Sequence, residues 1–145
     1  MPTRVQFTNR ADQQAHALNK GQRERVAALI RQLRSQGCAA LDYRLTGDTP
    51  VERLCVKHLG RNLRAVVAFR SPREAWVLLV GRHTRDPGMD VYAELYELVG
   101  FTPPDSERRR KPPCCENVDT PPLLDDDQVE SLVDRAVRLR RTRLR

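Results

Sequence analysis

At 145 residues the chain is about one domain long, enough for a single core and too short for two. With 39% hydrophobic residues it holds no apolar run able to cross a bilayer, and Met1, Pro2, Thr3 and Arg4 lead into no apolar stretch; the expectation is a cytoplasmic protein without leader or membrane association. A net charge of +7 favours a polyanionic partner, although 23 of the 26 basic residues are Arg and codon bias in a GC-rich genome produces the same skew.

In chain order, Val5 and Phe7 alternate with Arg4, Gln6 and Thr8, which predicts a short strand, with Asn9 as the N-cap of a helix after it. Ala11, Ala15 and Leu18 line one side of this first helix, over 10–20. Val26, Leu29, Ile30 and Leu33 line a second, which Gly37 ends. Residues 38–50 read as loop, with Leu41, Tyr43 and Leu45 alternating enough for a brief extended piece. Three strands are expected in 51–92, turning at Gly60 and at Pro72; the last carries the unbroken run Ala75, Trp76, Val77, Leu78, Leu79, Val80 of a strand covered on both faces. Asp90 to Val99 reads as a short helix stopped by Gly100. Composition then changes. Six prolines and the basic run at 108–111 mark 101–122 as a linker. Asp125 with Gln128 forms a capping-box pattern ahead of a helix bearing Val129, Leu132, Val133, Ala136 and Val137. The expected organisation is a domain over 1–100, a linker over 101–122 and an amphipathic helix over 123–145.

Cys38, Cys55, Cys114 and Cys115 lack the paired spacing of a structural zinc site, and a cytoplasmic setting disfavours disulfides. No metal and no cofactor are therefore expected, and Cys55 reads as a small strand residue.

Alternation puts Leu54, Val56 and His58 on one face of the first strand of the three, and Arg53, Cys55 and Lys57 on the other. In the second, Arg64 lies opposite in facing to Leu63, Ala65, Val67 and Phe69. Lys57 and Arg64 are thus expected near each other across the hairpin, beside Arg82, His83, Arg85 and Tyr92. Such a group lacks the clustered carboxylates of two-metal nucleases and glycosidases, a phosphate-cradling Gly-rich loop and a G-x-S-x-G elbow. Cations and a histidine suit a phosphodiester gaining charge. RNA supplies its own nucleophile, the 2′-OH, so no metal is needed.

The order of these elements, with Arg64 in Leu63-Arg64-Ala65-Val66-Val67, the strand end Leu79-Val80-Gly81-Arg82-His83 and then Asp90-Val91-Tyr92, resembles the RelE/ParE superfamily of toxins from bacterial type II toxin–antitoxin systems. The resemblance covers roughly 5–100. It implies a RelE-like α+β fold, two N-terminal helices packed on a small antiparallel sheet with a short helix after the last strand; the C-terminal linker and helix are additional. It also implies a metal-independent endoribonuclease that cleaves mRNA, in association with the ribosome, and inhibits translation, with a cognate antitoxin as partner. Lys57 and Arg64 would hold the phosphate, Arg82 or His83 would act on the leaving oxygen, Tyr92 would stack on a base or help activate the 2′-OH, and Arg61 and Arg85 would bind RNA. Cys55 stands where a second lysine is expected. The alternatives are a ParE-like, non-catalytic inhibitor of DNA gyrase and a basic nucleic-acid-binding module.

Overall fold

A computed structural model describes residues 2–46, 50–86, 88–100, 112–117 and 120–143. Among them the chain forms β1 (Arg4–Phe7), α1 (Asn9–His16), α2 (Lys20–Gln36), β2 (Tyr43–Arg44), β3 (Cys55–His58), β4 (Leu63–Ser71), β5 (Glu74–Arg82), α3 (Val91–Val99) and α4 (Asp126–Arg143). The first helix is capped one residue earlier than expected: Thr8 Oγ1 accepts from the Ala11 amide and donates to the Leu78 carbonyl, tying cap to sheet. Asn19 and Gln22 close a capping box on α2.

The expected pair of N-terminal helices on a small antiparallel sheet is not what forms. A strand comes first, and the sheet is mixed, in the order β1-β5-β4-β3-β2 with β1 parallel to β5 and the other pairings antiparallel. The reason lies in β5. A strand apolar on both faces needs a neighbour along each edge and a cover over each face. β1 and β4 supply the edges. One face packs Ala65, Val67, Phe69, Ala75 and Val77 against Leu29 and Leu33 of α2 and Ala11 of α1; the other packs Val66, Ala68, Leu78 and Leu79 against Leu95 and Leu98 of α3 and Val129, Leu132 and Ala136 of α4. The result is three layers with a core on each side of the sheet.

Strict alternation fails at one point in β5. Val66 pairs with Leu79 and Val67 with Val77, so Leu78 is an extra residue, and both Leu78 and Leu79 face α3 and α4. Everything after this bulge changes face. Gly81, not Arg82, comes to lie beside Arg64 on the α3 side.

The tail is fastened to the body. Two disulfides, Cys38–Cys115 and Cys55–Cys114, correct the expectation of unpaired cysteines, and Cys55 is a bridging residue buried in the core. The cysteines lie 77 and 59 positions apart, which hides the pairing from any short spacing pattern. Beyond the bridges Glu116 meets Arg44 and Arg53, the Leu124 amide donates to the Phe69 carbonyl, and Asp126 pairs with Arg70. Asp125 and Gln128 form the expected capping box, and Arg135 donates to the last carbonyls of α3. The basic run at 108–111 lies outside the described residues, and no helix among those described is long and apolar enough to cross a membrane.

Candidate functional site

The site forms where the starts of β4 and α3 meet the end of β5. Gly60, at φ 156°, carries the chain through the β3–β4 turn. The turn sets the register, with His58 opposite Arg64 and Lys57 opposite Ala65. Residues directly opposite each other in an antiparallel pair share a face. His58 and Arg64 therefore lie on the α3 side, and Lys57 lies on the other. Lys57 and Arg64 do not meet across the hairpin; the expectation fails because it fixed the alternation within each strand but not the pairing between them. Lys57 turns instead to Asp42, Nζ to Oδ1 3.6 Å.

Arg82 is displaced for the second reason, the bulge at Leu78. It pairs with Leu63, one position from Arg64 and on the opposite face of the sheet, and lines an open cleft of about 350 Å³ with Arg10, Gln14, Gly81, Val91 and Glu94. Arg61 and Arg85 are exposed in the loops on either side. Of the seven residues singled out in the sequence, Arg64, His83 and Tyr92 are brought together.

Their placement is specific. The His83 amide donates to the Asn62 carbonyl at 2.7 Å, holding the residue after β5 against the start of β4. Asp90 then does three things at once. Its Oδ1 meets His83 Nδ1 at 2.9 Å and accepts from the Thr84 amide at 2.9 Å, while its Oδ2 accepts from the Ala93 amide as the N-cap of α3. A carboxylate on Nδ1 fixes the imidazole so that Nε2 is presented outward. The His83 ring stands edge-on to Tyr92, centroids 4.8 Å apart and planes at 88°. Gly81 lets α3 approach closely beneath this contact, since a Cβ there would stand 3.2 Å from Val91 Cβ in the first turn of α3.

Tyr92 leads to two residues that the sequence reading left unassigned. Its hydroxyl lies 2.9 Å from that of Tyr43, which lies 3.3 Å from His58 Nε2. Burial drives the Tyr92 phenol well above its ordinary pKa of 10.0, and the Tyr43 hydroxyl adds to the rise; the Arg64 guanidinium alongside pulls the other way without reversing it. Tyr92 is thus a neutral hydrogen-bonding group at physiological pH. Arg64 is held by the carbonyls of Gly60, Arg61 and Leu63, and its Nε is buried with no hydrogen-bond partner.

No family model matches the chain, and no curated protein resembles it significantly.

The chemistry is then read from the side chains alone. Two imidazoles, one bearing a carboxylate partner, two linked phenols and a guanidinium share one rim. Among the described residues no three His, Cys, Asp or Glu side chains are grouped as metal ligands. Asp90, Tyr43 and His58 were the residues sequence reasoning missed. Asp90 reads in the sequence as the first residue of a helix and proves to be its cap, and His58 reads as a residue on the Val56 face, but only the β3–β4 register puts His58 beside Arg64.

Proposed function

We propose that the protein is a metal-independent endoribonuclease. The observation that carries this is the His83–Asp90 pair, Nδ1 to Oδ1 at 2.9 Å, set beside Arg64 on an exposed basic rim. In the proposed reaction His83 Nε2 takes the proton of the 2′-OH as O2′ attacks phosphorus. Arg64 offsets the charge that gathers on the phosphoryl oxygens, and the bond from phosphorus to O5′ breaks, leaving a 2′,3′-cyclic phosphate and a 5′-hydroxyl. Tyr92 donates a hydrogen bond as a neutral phenol and supports the His83 ring. Arg61 and Arg85 attract the flanking phosphates, with an affinity that falls as salt rises.

The narrower reading, a toxin of a type II toxin–antitoxin pair acting on mRNA at the ribosome, rests on the resemblance carried by Leu63–Val67 and Leu79–His83. It brings a cognate antitoxin as partner and the cytoplasm as the place of action. Two disulfides favour a non-reducing compartment, so the cytoplasmic version carries the added requirement that the bridges close there.

Inducible expression of the wild-type chain beside the Arg64→Ala, His83→Ala double variant tests the reading. Growth arrest with new 5′ ends in cellular mRNA, both lost in the variant, is expected. Arrest without new ends would move the assignment to a non-catalytic inhibitor of the gyrase-directed kind. The Asp90→Asn variant separates chemistry from folding: asparagine keeps the helix cap but loses the charge on His83, so cleavage falls while Tm holds.

A further inference from the structure

We propose that the cleft beside His83 is a base-recognition subsite, and that it takes the guanine of the nucleotide whose 2′-OH reacts. The inference rests on the endoribonuclease reading. The cleft, of about 350 Å³, lies between α1 and α3 along the edge of β5 that is left open where β1 ends. The last strand pairing there is Phe7 with Val77, and Gln14 then takes the place of the strand by accepting from the Val80 amide at 2.8 Å. The walls of the cleft lead to the His83–Asp90 pair. Arg82 precedes His83 and Met89 precedes Asp90, so each member of the pair has a chain neighbour in the cleft, about 3.8 Å away along the backbone. The base of a nucleotide is attached to the ribose carbon next to the one that bears the 2′-OH. A substrate held by that hydroxyl at His83 therefore brings its own base to the cleft.

The lining suits a base better than a phosphate. Its floor is neutral: Arg10 is held by Glu94 through two hydrogen bonds of 2.9 Å, and Gln14 Nε2 adds a third at 3.1 Å. One wall is apolar, formed by Val91 and by Met89, which at 66% exposure is the barest large hydrophobic side chain among the described residues. A flat aromatic base laid against the thioether covers it, whereas a phosphate gains nothing from that wall. Arg82 supplies the charge. It is exposed and, among the described residues, has no hydrogen-bond or ion-pair partner. A guanidinium presents a planar fork of donors, and guanine presents O6 and N7 as adjacent acceptors to meet it. Adenine sets a donor amine beside N7, and the pyrimidines have no N7, so guanine is the base that the fork fits.

Nucleotide binding and cleavage mapping, both on the full oxidised chain, separate the cleft from the nuclease. Titrated with ribonucleoside monophosphates and followed by amide chemical shifts, the wild type should prefer guanosine to adenosine monophosphate by about 5- to 150-fold, with 7-deazaguanosine monophosphate, which lacks only the N7 acceptor, in between. Arg82→Ala should bind the three alike, with Tm unchanged, and Met89→Ser should weaken all of them without altering their order. In RNA of random sequence, the 3′ ends left by the wild type should be guanosine 2′,3′-cyclic phosphate, and the ends left by Arg82→Ala should be spread over the four bases. Equal affinity of the wild type for the nucleotides, or a guanosine preference that survives Arg82→Ala, would overturn the assignment of the cleft. Cleavage after all four bases alike by the wild type would overturn it too, while leaving the endoribonuclease intact. Guanosine-selective binding that is lost in Arg82→Ala, with RNA left uncut, would uphold the cleft and remove the nuclease.

Discussion

Opening the two disulfides should destabilise the protein by more than the sum of the parts, because one ring lies inside the other. Cys38–Cys115 and Cys55–Cys114 close stretches of 77 and 59 positions, and either bridge alone removes about 4–4.5 kcal/mol of unfolded-state entropy by the chain-closure relation. Once one is closed, the other closes only the short ring that runs from Cys38 to Cys55 and returns through the adjacent pair, roughly 18 residues and worth about 3 kcal/mol. The paired variant Cys55→Ala, Cys114→Ala and the paired variant Cys38→Ala, Cys115→Ala should therefore each lose about 3 kcal/mol, and the fourfold variant about 7–8 kcal/mol. Urea unfolding of the three variants and of the wild type measures this. Since whole domains hold only about 5–15 kcal/mol, the fourfold variant should unfold in little or no urea, and reductant should bring the wild type to the same midpoint. A fourfold variant that loses no more than the two pairs added together would show that the bridges do not act as nested rings on the unfolded chain.

Three further outcomes are expected. Arg10→Ala should cost about 1–3 kcal/mol in chemical denaturation, because it removes the bidentate guanidinium held at 2.9 Å from Glu94, a carboxylate 5% exposed that keeps Gln14 Nε2 at 3.1 Å; Arg10→Ala with Glu94→Gln should regain much of the loss. Gly81→Ala should cost about 1–3 kcal/mol and reduce cleavage as well, since the added Cβ presses on Val91 and moves the start of α3, which carries Asp90 and Tyr92; unchanged activity would show that the helix position is not critical. For Tyr92, the folded protein holds the phenolic proton more tightly than the unfolded chain does, so its contribution to stability is complete below the ordinary pKa of 10.0 and is lost as pH rises toward the folded value. Ultraviolet titration should show a phenol that resists ionisation near pH 10 in the folded wild type, and Tyr92→Phe should remove that resistant component.

What the sequence made legible was local. The strand at Val5 and Phe7, the helix ending at Gly37, the run from Ala75 to Val80, the stop at Gly100 and the capping box of Asp125 and Gln128 each rest on a few neighbouring residues, and each forms as read. What it hid was relational. The mixed sheet depends on β1 pairing with a strand some 70 positions later. Arg82 is lost from the site because of a single extra residue at Leu78, and runs of leucine and valine carry no mark of a bulge. Lys57 and Arg64 part because the pairing across the turn at Gly60 sets Lys57 opposite Ala65 and His58 opposite Arg64, and alternation within each strand does not fix that pairing. The disulfides join residues that no short pattern connects. His83, Arg64 and Tyr92 come together because each stands at the end of an element whose existence was readable; their partners Asp90, Tyr43 and His58 depend on how those ends meet.

The most direct test of the endoribonuclease is to incubate the purified, oxidised chain with a defined RNA in excess chelator and to analyse the ends of the fragments. The proposed chemistry predicts cleavage that persists in chelator, yields 2′,3′-cyclic phosphate and 5′-hydroxyl ends, and disappears in His83→Ala. Intact RNA after prolonged incubation with and without ribosomes, or fragments with 5′-phosphate ends, would contradict it.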